Sequence, residues 1–243
     1  MMKYAGIRRF FSTLRLTPFH PQWFASRHRM RYFHQLSEWV YGNVLDIGCA
    51  NQQVKAFLGT NCRYIGLDYY QTATGWYKTR PHVFGDAEDL PVLSESIDCI
   101  LLLDVLEHIA EPDRCLAEIH RVLKPGGTFV LGVPFLYPLH DRPRDFQRWT
   151  AHGLESIVGR YGFLVSKFSH AGEPLETAAL LSNIAASRVC LKWIERGSPF
   201  SLFAVFLPCF VFLTNITAWS LRFACPQDDL MPTGYFALCR KCQ

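Results

Sequence analysis

The run Val44-Leu45-Asp46-Ile47 ends on Gly48-Cys49-Ala50, an apolar segment driven straight into a tight turn of small residues. In an open α/β sheet, such a turn at the carboxyl end of the first strand is where a nucleotide-like ligand approaches the backbone. Gly48 permits an unusual dihedral and close approach, and Asp46 puts a carboxylate at the strand end. From Asn43 onward, short apolar runs alternate with helical or turn segments. Strands are expected at 43–47, 63–67, 82–84, 99–103, 128–133, 163–168 and 235–239. This order predicts an α/β fold with a doubly wound, mostly parallel seven-stranded sheet and a hydrophobic helical insertion before the last strand.

The crossovers carry their own signals. Pro112 stands where a helix begins, and Cys115, Leu116, Ile119, Val122 and Leu123 form its inner stripe at spacings of three and four. Lys124-Pro125-Gly126-Gly127 is expected to end it. Thr150 is placed to cap a helix whose inner face is Leu154, Ile157, Val158 and Tyr161. The expected division is a basic arm over 1–42, with a helix at 27–41, and one domain over 43–243 that contains the insertion at 174–230.

Tyr64-Ile65-Gly66-Leu67-Asp68 ends a second strand on an acid, about twenty residues after the first turn, where it can accept both hydroxyls of a ribose. NAD would satisfy that pair equally well. A dinucleotide site, however, expects G-x-G-x-x-G, and here Gly48 is followed by Ala50, Gln52 and Gln53. Nothing is set up to cradle two phosphates, so a ligand without phosphates fits better.

With these motifs in order, residues 43–170 resemble a class I S-adenosylmethionine methyltransferase of the type 11 kind, with its Rossmann-like fold. The resemblance implies S-adenosyl-L-methionine as cofactor, held by Asp46, Gly48, Cys49 and Ala50 of the first motif and by Asp68 with Tyr69 at the ribose. It puts Asp86 and Ala87 of Gly85-Asp-Ala-Glu-Asp-Leu-Pro91 at the adenine, and Leu103 and Asp104 beside the methionine part. Arg121-Val-Leu-Lys-Pro-Gly-Gly127 resembles the turn before the fifth strand. The family usually has G-x-G where this chain has Gly48-Cys49-Ala50, and an Ala at φ > 0 would be strained by about 1 kcal/mol.

The segment 134–150 follows the fifth strand and resembles a P-x-H-x-x-P-x-D-x-x-R-[YW]-T signature of a subset of these enzymes, some linked to surface-glycan or lipid pathways. Tyr137, Asp145 and Arg148 are the expected acceptor-binding residues, and His140 the expected base for an acceptor oxygen or nitrogen. Asp145 and Arg148, three apart, equally fit a structural ion pair. His108 reads as structural, and no metal cluster is expected.

Two segments bear on partners. No Asp or Glu precedes Glu38, whereas Lys3, Arg8, Arg9, Arg15, Arg27, Arg29 and Arg31 do, interleaved with aromatics. This suits either a solvated face or an anionic membrane surface. Residues 197–221 carry no charge. One span there would put the last strand across the membrane from its own sheet. The open uses of 199–221 are peripheral membrane contact, shielding of the site, or a homodimer contact. Nine cysteines at irregular spacing suit a reducing compartment, so a cytoplasmic, membrane-associated protein is expected. The expected substrate is small or lipid- or glycan-linked, with no nucleic acid. The rival reading is a non-catalytic methyltransferase-like scaffold that binds membrane or a partner.

Overall fold

The structure, a computed structural model, describes residues 13–226 and 228–242. Lys3, Arg8 and Arg9 of the basic arm lie outside them. Contacts divide the described residues into a sheet unit (32–135, 139–170 and 234–242) and a helical unit (13–31, 136–138, 171–226 and 228–233).

The sheet unit holds β1 (Gly42–Ile47), β2 (Cys62–Asp68), β3 (Val83–Phe84), β4 (Ile97–Leu103), β5 (Leu123–Pro134), β6 (Phe163–Ala171) and β7 (Gly234–Lys241), in the spatial order β3-β2-β1-β4-β5-β7-β6. All seven expected strands are present. Pairings from β3 to β5 are parallel, and β7 lies antiparallel to β5. The strand order reverses at β1, so the β1–β4 boundary is the switch point where this architecture opens a crevice at the carboxyl edge.

The core is made by the strands' inner faces and two helices, α2 (Pro112–Val122) and α3 (Ala151–Arg160). Cys115, Leu116, Ile119 and Val122 of α2 and Leu154, Ile157 and Val158 of α3 are buried against Leu45, Ile100, Leu102, Phe129 and Leu131. Thr150 caps α3, its hydroxyl accepting from Gly153 N at 3.1 Å. The expected turn at 124–127 is instead an excursion within β5: Ile97 pairs with Leu123, but Cys99 pairs with Thr128. Lys124 Nζ donates to Asp98 Oδ1 at 2.7 Å and pins it.

Helix α1 (Trp23–Trp39) starts earlier than the expected 27–41 and gives its first half to the helical unit. That unit also contains α4 (Pro174–Glu195), a 3-10 stretch (Pro199–Phe206) and α5 (Leu207–Leu221). Pro208 does not interrupt α5; it sits in the first turn, where a missing N–H costs nothing. The uncharged run thus folds as a 3-10 segment that continues into a helix.

Candidate active site at the carboxyl edge of the sheet

Five loops of the sheet unit leave the carboxyl ends of parallel strands, and nearly all the expected site residues lie on them. Gly48 has φ +73, and a Cβ there would meet Val105 Cγ2 at 2.4 Å, so only glycine lets the β1 turn pack on the β4 loop. Gly48 N and Cys49 N both donate to Leu67 O, at 2.8 and 3.1 Å. Ala50 has φ +45, the strained left-handed region that its sequence raised as a concern.

The strained turn is held by Asp68, the acid expected at a ribose. Asp68 Oδ2 accepts from Ala50 N and Oδ1 from Tyr69 N, each at 2.8 Å. A carboxylate offers about four lone pairs, so acceptor capacity remains for a ligand's hydroxyls. Burial pushes the Asp68 carboxyl up, against these two N–H donors. Asp46 is buried below it and accepts from Tyr64 Oη at 2.6 Å. Burial pushes Asp46 up to about 7, with Tyr64 opposing and the nearby Asp68 reinforcing.

Farther along, Asp86 Oδ1 accepts from Glu88 N at 3.0 Å and forms a tight turn with Asp89, with Ala87 packed on the core. Leu103 is half-buried at the end of β4, and Asp104 is exposed at φ +55, its N–H bound to Gly132 O. The Arg144 guanidinium lies over the Tyr69 ring at 4.9 Å.

The loop over 139–149 is tied down by Phe146 N donating to Glu107 O at 2.9 Å. Asp145 and Arg148 form a two-pronged pair, with Nη1 to Oδ1 at 2.5 Å and Nη2 to Oδ2 at 2.9 Å. This geometry realises the ion-pair option. The Arg148 guanidinium holds the Asp145 carboxyl down at about 2 despite partial desolvation. Asp145 Oδ2 also accepts from His140 N at 2.9 Å and lies 3.4 Å from His140 Nδ1, so it orients the expected base. Tyr137 falls in the helical unit, where its hydroxyl accepts from Gln22 Nε2 at 2.6 Å, and is not grouped with Asp145 and Arg148.

Glu107 is the residue that sequence reasoning missed. It sits in the turn after β4, fully buried, and among the described residues neither of its oxygens has a hydrogen-bond partner. Its Oε1 instead faces His108 Nε2 and His140 Nε2, each at 3.7 Å. Burial pushes the Glu107 carboxyl up, opposed chiefly by His140.

Residues 45–131 match the family model for a methyltransferase domain. Over those residues the chain is similar to class I S-adenosylmethionine-dependent methyltransferases. It is 30% identical over 117 residues to a Mycolicibacterium smegmatis protein named as a probable S-adenosylmethionine-dependent methyltransferase, covering 46% of this chain and 45% of that one. It is also 30% identical over 165 residues to the fatty-acid O-methyltransferase of the same species, covering 64% of this chain and 59% of that one. The chain therefore spans less than two thirds of the length of these relatives. In fold, the domain is similar to a SAM-dependent methyltransferase from Archaeoglobus fulgidus, with a TM-score of 0.56 at 16% identity, over 96% of this chain and 99% of that one.

Proposed function

We propose that the protein transfers a methyl group from S-adenosyl-L-methionine to an oxygen or nitrogen of a small lipid- or glycan-linked acceptor. The observation that carries this reading is the Asp68 carboxylate, fixed at the switch point by two backbone N–H groups with lone pairs to spare. Gly48, Cys49 and Ala50 form the close backbone approach beside Asp46, and Tyr69 follows the ribose acid. Asp86 and Ala87 line the adenine side, and Leu103 and Asp104 the methionine side.

Methyl transfer is an in-line displacement. The acceptor's lone pair forms the new bond to the methyl carbon, and the C–S pair returns to sulfur. The sulfonium is already activated, so the chain mainly positions the acceptor and removes its proton. His140, oriented by Asp145 and through it by Arg148, is the proposed proton acceptor.

The lipid-linked choice is supported by the helical unit. Residues Pro199–Leu221 are long and apolar enough to cross a membrane, yet little of the segment is buried. Phe200, Leu202, Phe203, Val205 and Phe206 are exposed. Because β6 before it and β7 after it share one sheet, the segment would lie on a membrane rather than cross it once. Arg188, Lys192 and Arg196 on and after α4, against one nearby acid, Glu195, suit an anionic lipid surface. The name of the fatty-acid O-methyltransferase relative agrees with an apolar acceptor. All nine cysteines are free thiols, which suits a cytoplasmic location at a membrane surface.

A second reading, a scaffold that no longer methylates, draws on the strain at Ala50. Calorimetric titration with S-adenosylhomocysteine, beside an Asp68→Ala variant, separates the two. Micromolar binding that the variant loses is expected of the enzyme. A folded protein that binds nothing would leave only the scaffold.

A further inference from the structure

We infer that Glu107, His108 and His140 form a binding site for a divalent transition-metal ion at the acceptor side of the sheet. The three offer ligand atoms that all lie within 4.8 Å of one another. The Glu107 carboxylate is fully buried and takes no hydrogen bond among the described residues. A buried carboxylate costs several kcal/mol unless a cation meets it.

Tautomers decide what the two histidines present. His108 Nδ1 lies 2.6 Å from Arg144 O. A carbonyl only accepts, so Nδ1 carries the proton and the neutral ring turns a bare Nε2 lone pair toward Glu107. His140 also turns Nε2 toward Glu107, and its Nδ1 lies 3.4 Å from an Asp145 carboxylate oxygen, an ion-pair distance and not a hydrogen bond. Rings whose far nitrogen is held by a carbonyl or a carboxylate are the usual form of metal-ligating histidine. Two lone pairs and a carboxylate oxygen then converge with 3.7 Å between each Nε2 and Oε1. That is too long for hydrogen bonds and close to the edge of about 3.4 Å that ligands at roughly 2.1 Å make around a tetrahedral ion.

Two nitrogens and one oxygen suit zinc or a similar borderline cation and leave a coordination position open. Asp141, with Oδ2 4.0 Å from His108 Nε2 and exposed, stands at the rim as a further oxygen donor. An acceptor hydroxyl bound at the open position would lose its proton more readily, the proton leaving to solvent. In the metal-bound protein His140 would be a ligand, and the acceptor's proton would pass to solvent instead of to His140. Metal binding itself does not depend on methyl transfer.

The test is metal binding by the chelator-treated full chain, titrated with Co2+ and followed by visible absorption and calorimetry. Glu107→Gln and His108→Gln are measured beside His152→Gln, a control at an exposed histidine. One equivalent is expected with nitrogen–oxygen ligand-field bands, weakened at least about 100-fold in the first two variants and unchanged in the control. Absence of binding by wild type, or thiolate-to-cobalt absorption alone that Glu107→Gln leaves intact, would overturn the inference. Circular dichroism and S-adenosylhomocysteine titration of each variant keep misfolding from counting as support. Should a variant misfold, the milder His140→Asn is read instead. A protein that binds the homocysteine product but no metal refutes this site alone. One that binds metal but no product refutes the methyl-transfer reading alone.

Discussion

Ala50 and Gly48 show how narrowly the turn after β1 is built. Ala50 holds φ +45 without being glycine. That conformation costs a non-glycine residue about 1–2 kcal/mol, partly offset by the roughly 0.5–1 kcal/mol of chain entropy that alanine spares. Ala50→Gly should therefore be mildly stabilising, by about 0.5 kcal/mol in urea denaturation, and should tighten S-adenosylhomocysteine binding. Gly48→Ala should do the reverse, losing at least about 2 kcal/mol, because its Cβ would press on Val105 Cγ2 at 2.4 Å. Asp46 gives a prediction with a sign. Its carboxyl rises from 3.8 to about 7 in the fold, chiefly by burial, with Tyr64 opposing and Asp68 adding to it. A group raised on folding contributes stability that is fully present below its unfolded pKa and lost as pH climbs through the folded one. The apo protein should thus lose stability between about pH 4 and pH 7. Asp46→Asn keeps the Tyr64 donor and removes that slope. The variant should be more stable than wild type at pH 8, by at least about 1 kcal/mol, and converge with it near pH 4. Thermal denaturation across that range checks it.

At the scale of elements, α4 and α5 pack through buried polar groups. Asn183 Nδ2 donates to Asn215 Oδ1 at 2.9 Å, Thr214 Oγ1 donates to Asn183 Oδ1 at 2.6 Å, and Asn215 Nδ2 reaches Pro18 O at 2.7 Å. Asn183→Leu should cost about 2 kcal/mol in chemical denaturation, since it strands the buried Asn215 and Thr214 groups. Nothing beside Thr214 and Asn215 in the sequence foretells these bonds, because the groups they bond lie far away along the chain. The elements that were legible have local causes. Pro112 starts α2, Thr150 caps α3, and short continuous apolar runs became strands. The site divides the same way. The strand-end turn and the acids at 46 and 68 were readable because strand order alone puts them at one edge. Glu107 was not, since nothing in the local sequence marks its carboxylate as buried. Its burial arises only when the 139–149 loop binds back through Phe146 N and the Arg144 carbonyl. Tyr137 was expected beside Asp145 and Arg148; two residues separate it from His140, and the chain changes unit between them.

For the molecule as a whole, the two units divide the labour that the proposed function requires, with cofactor chemistry in one and lipid contact in the other. The apolar stretch of the helical unit exposes Leu202, Phe203 and Phe206, at 79%, 58% and 65% of their surfaces. Fully burying such a side chain is worth about 1.5–3 kcal/mol. Moving even part of three into lipid should contribute roughly 3 kcal/mol, or about 100-fold in partitioning. Arg188, Lys192 and Arg196 add about 1 kcal/mol each toward an anionic surface at low salt, less what Glu195 takes back. The protein should therefore co-sediment with phosphatidylserine-containing vesicles and more weakly with neutral phosphatidylcholine ones. Salt should erode the anionic preference, as exposed charges are screened over about 10 Å at 0.1 M, and leave the apolar part. Replacing Leu202, Phe203 and Phe206 together by Ser should cut vesicle binding at least about tenfold. Because these side chains support no core, it should leave the thermal midpoint and S-adenosylhomocysteine affinity where they were. Vesicle binding unchanged by the triple substitution would assign the exposed apolar run to a protein contact, and sedimentation equilibrium of wild type and variant would then show whether that contact is a second copy of this chain.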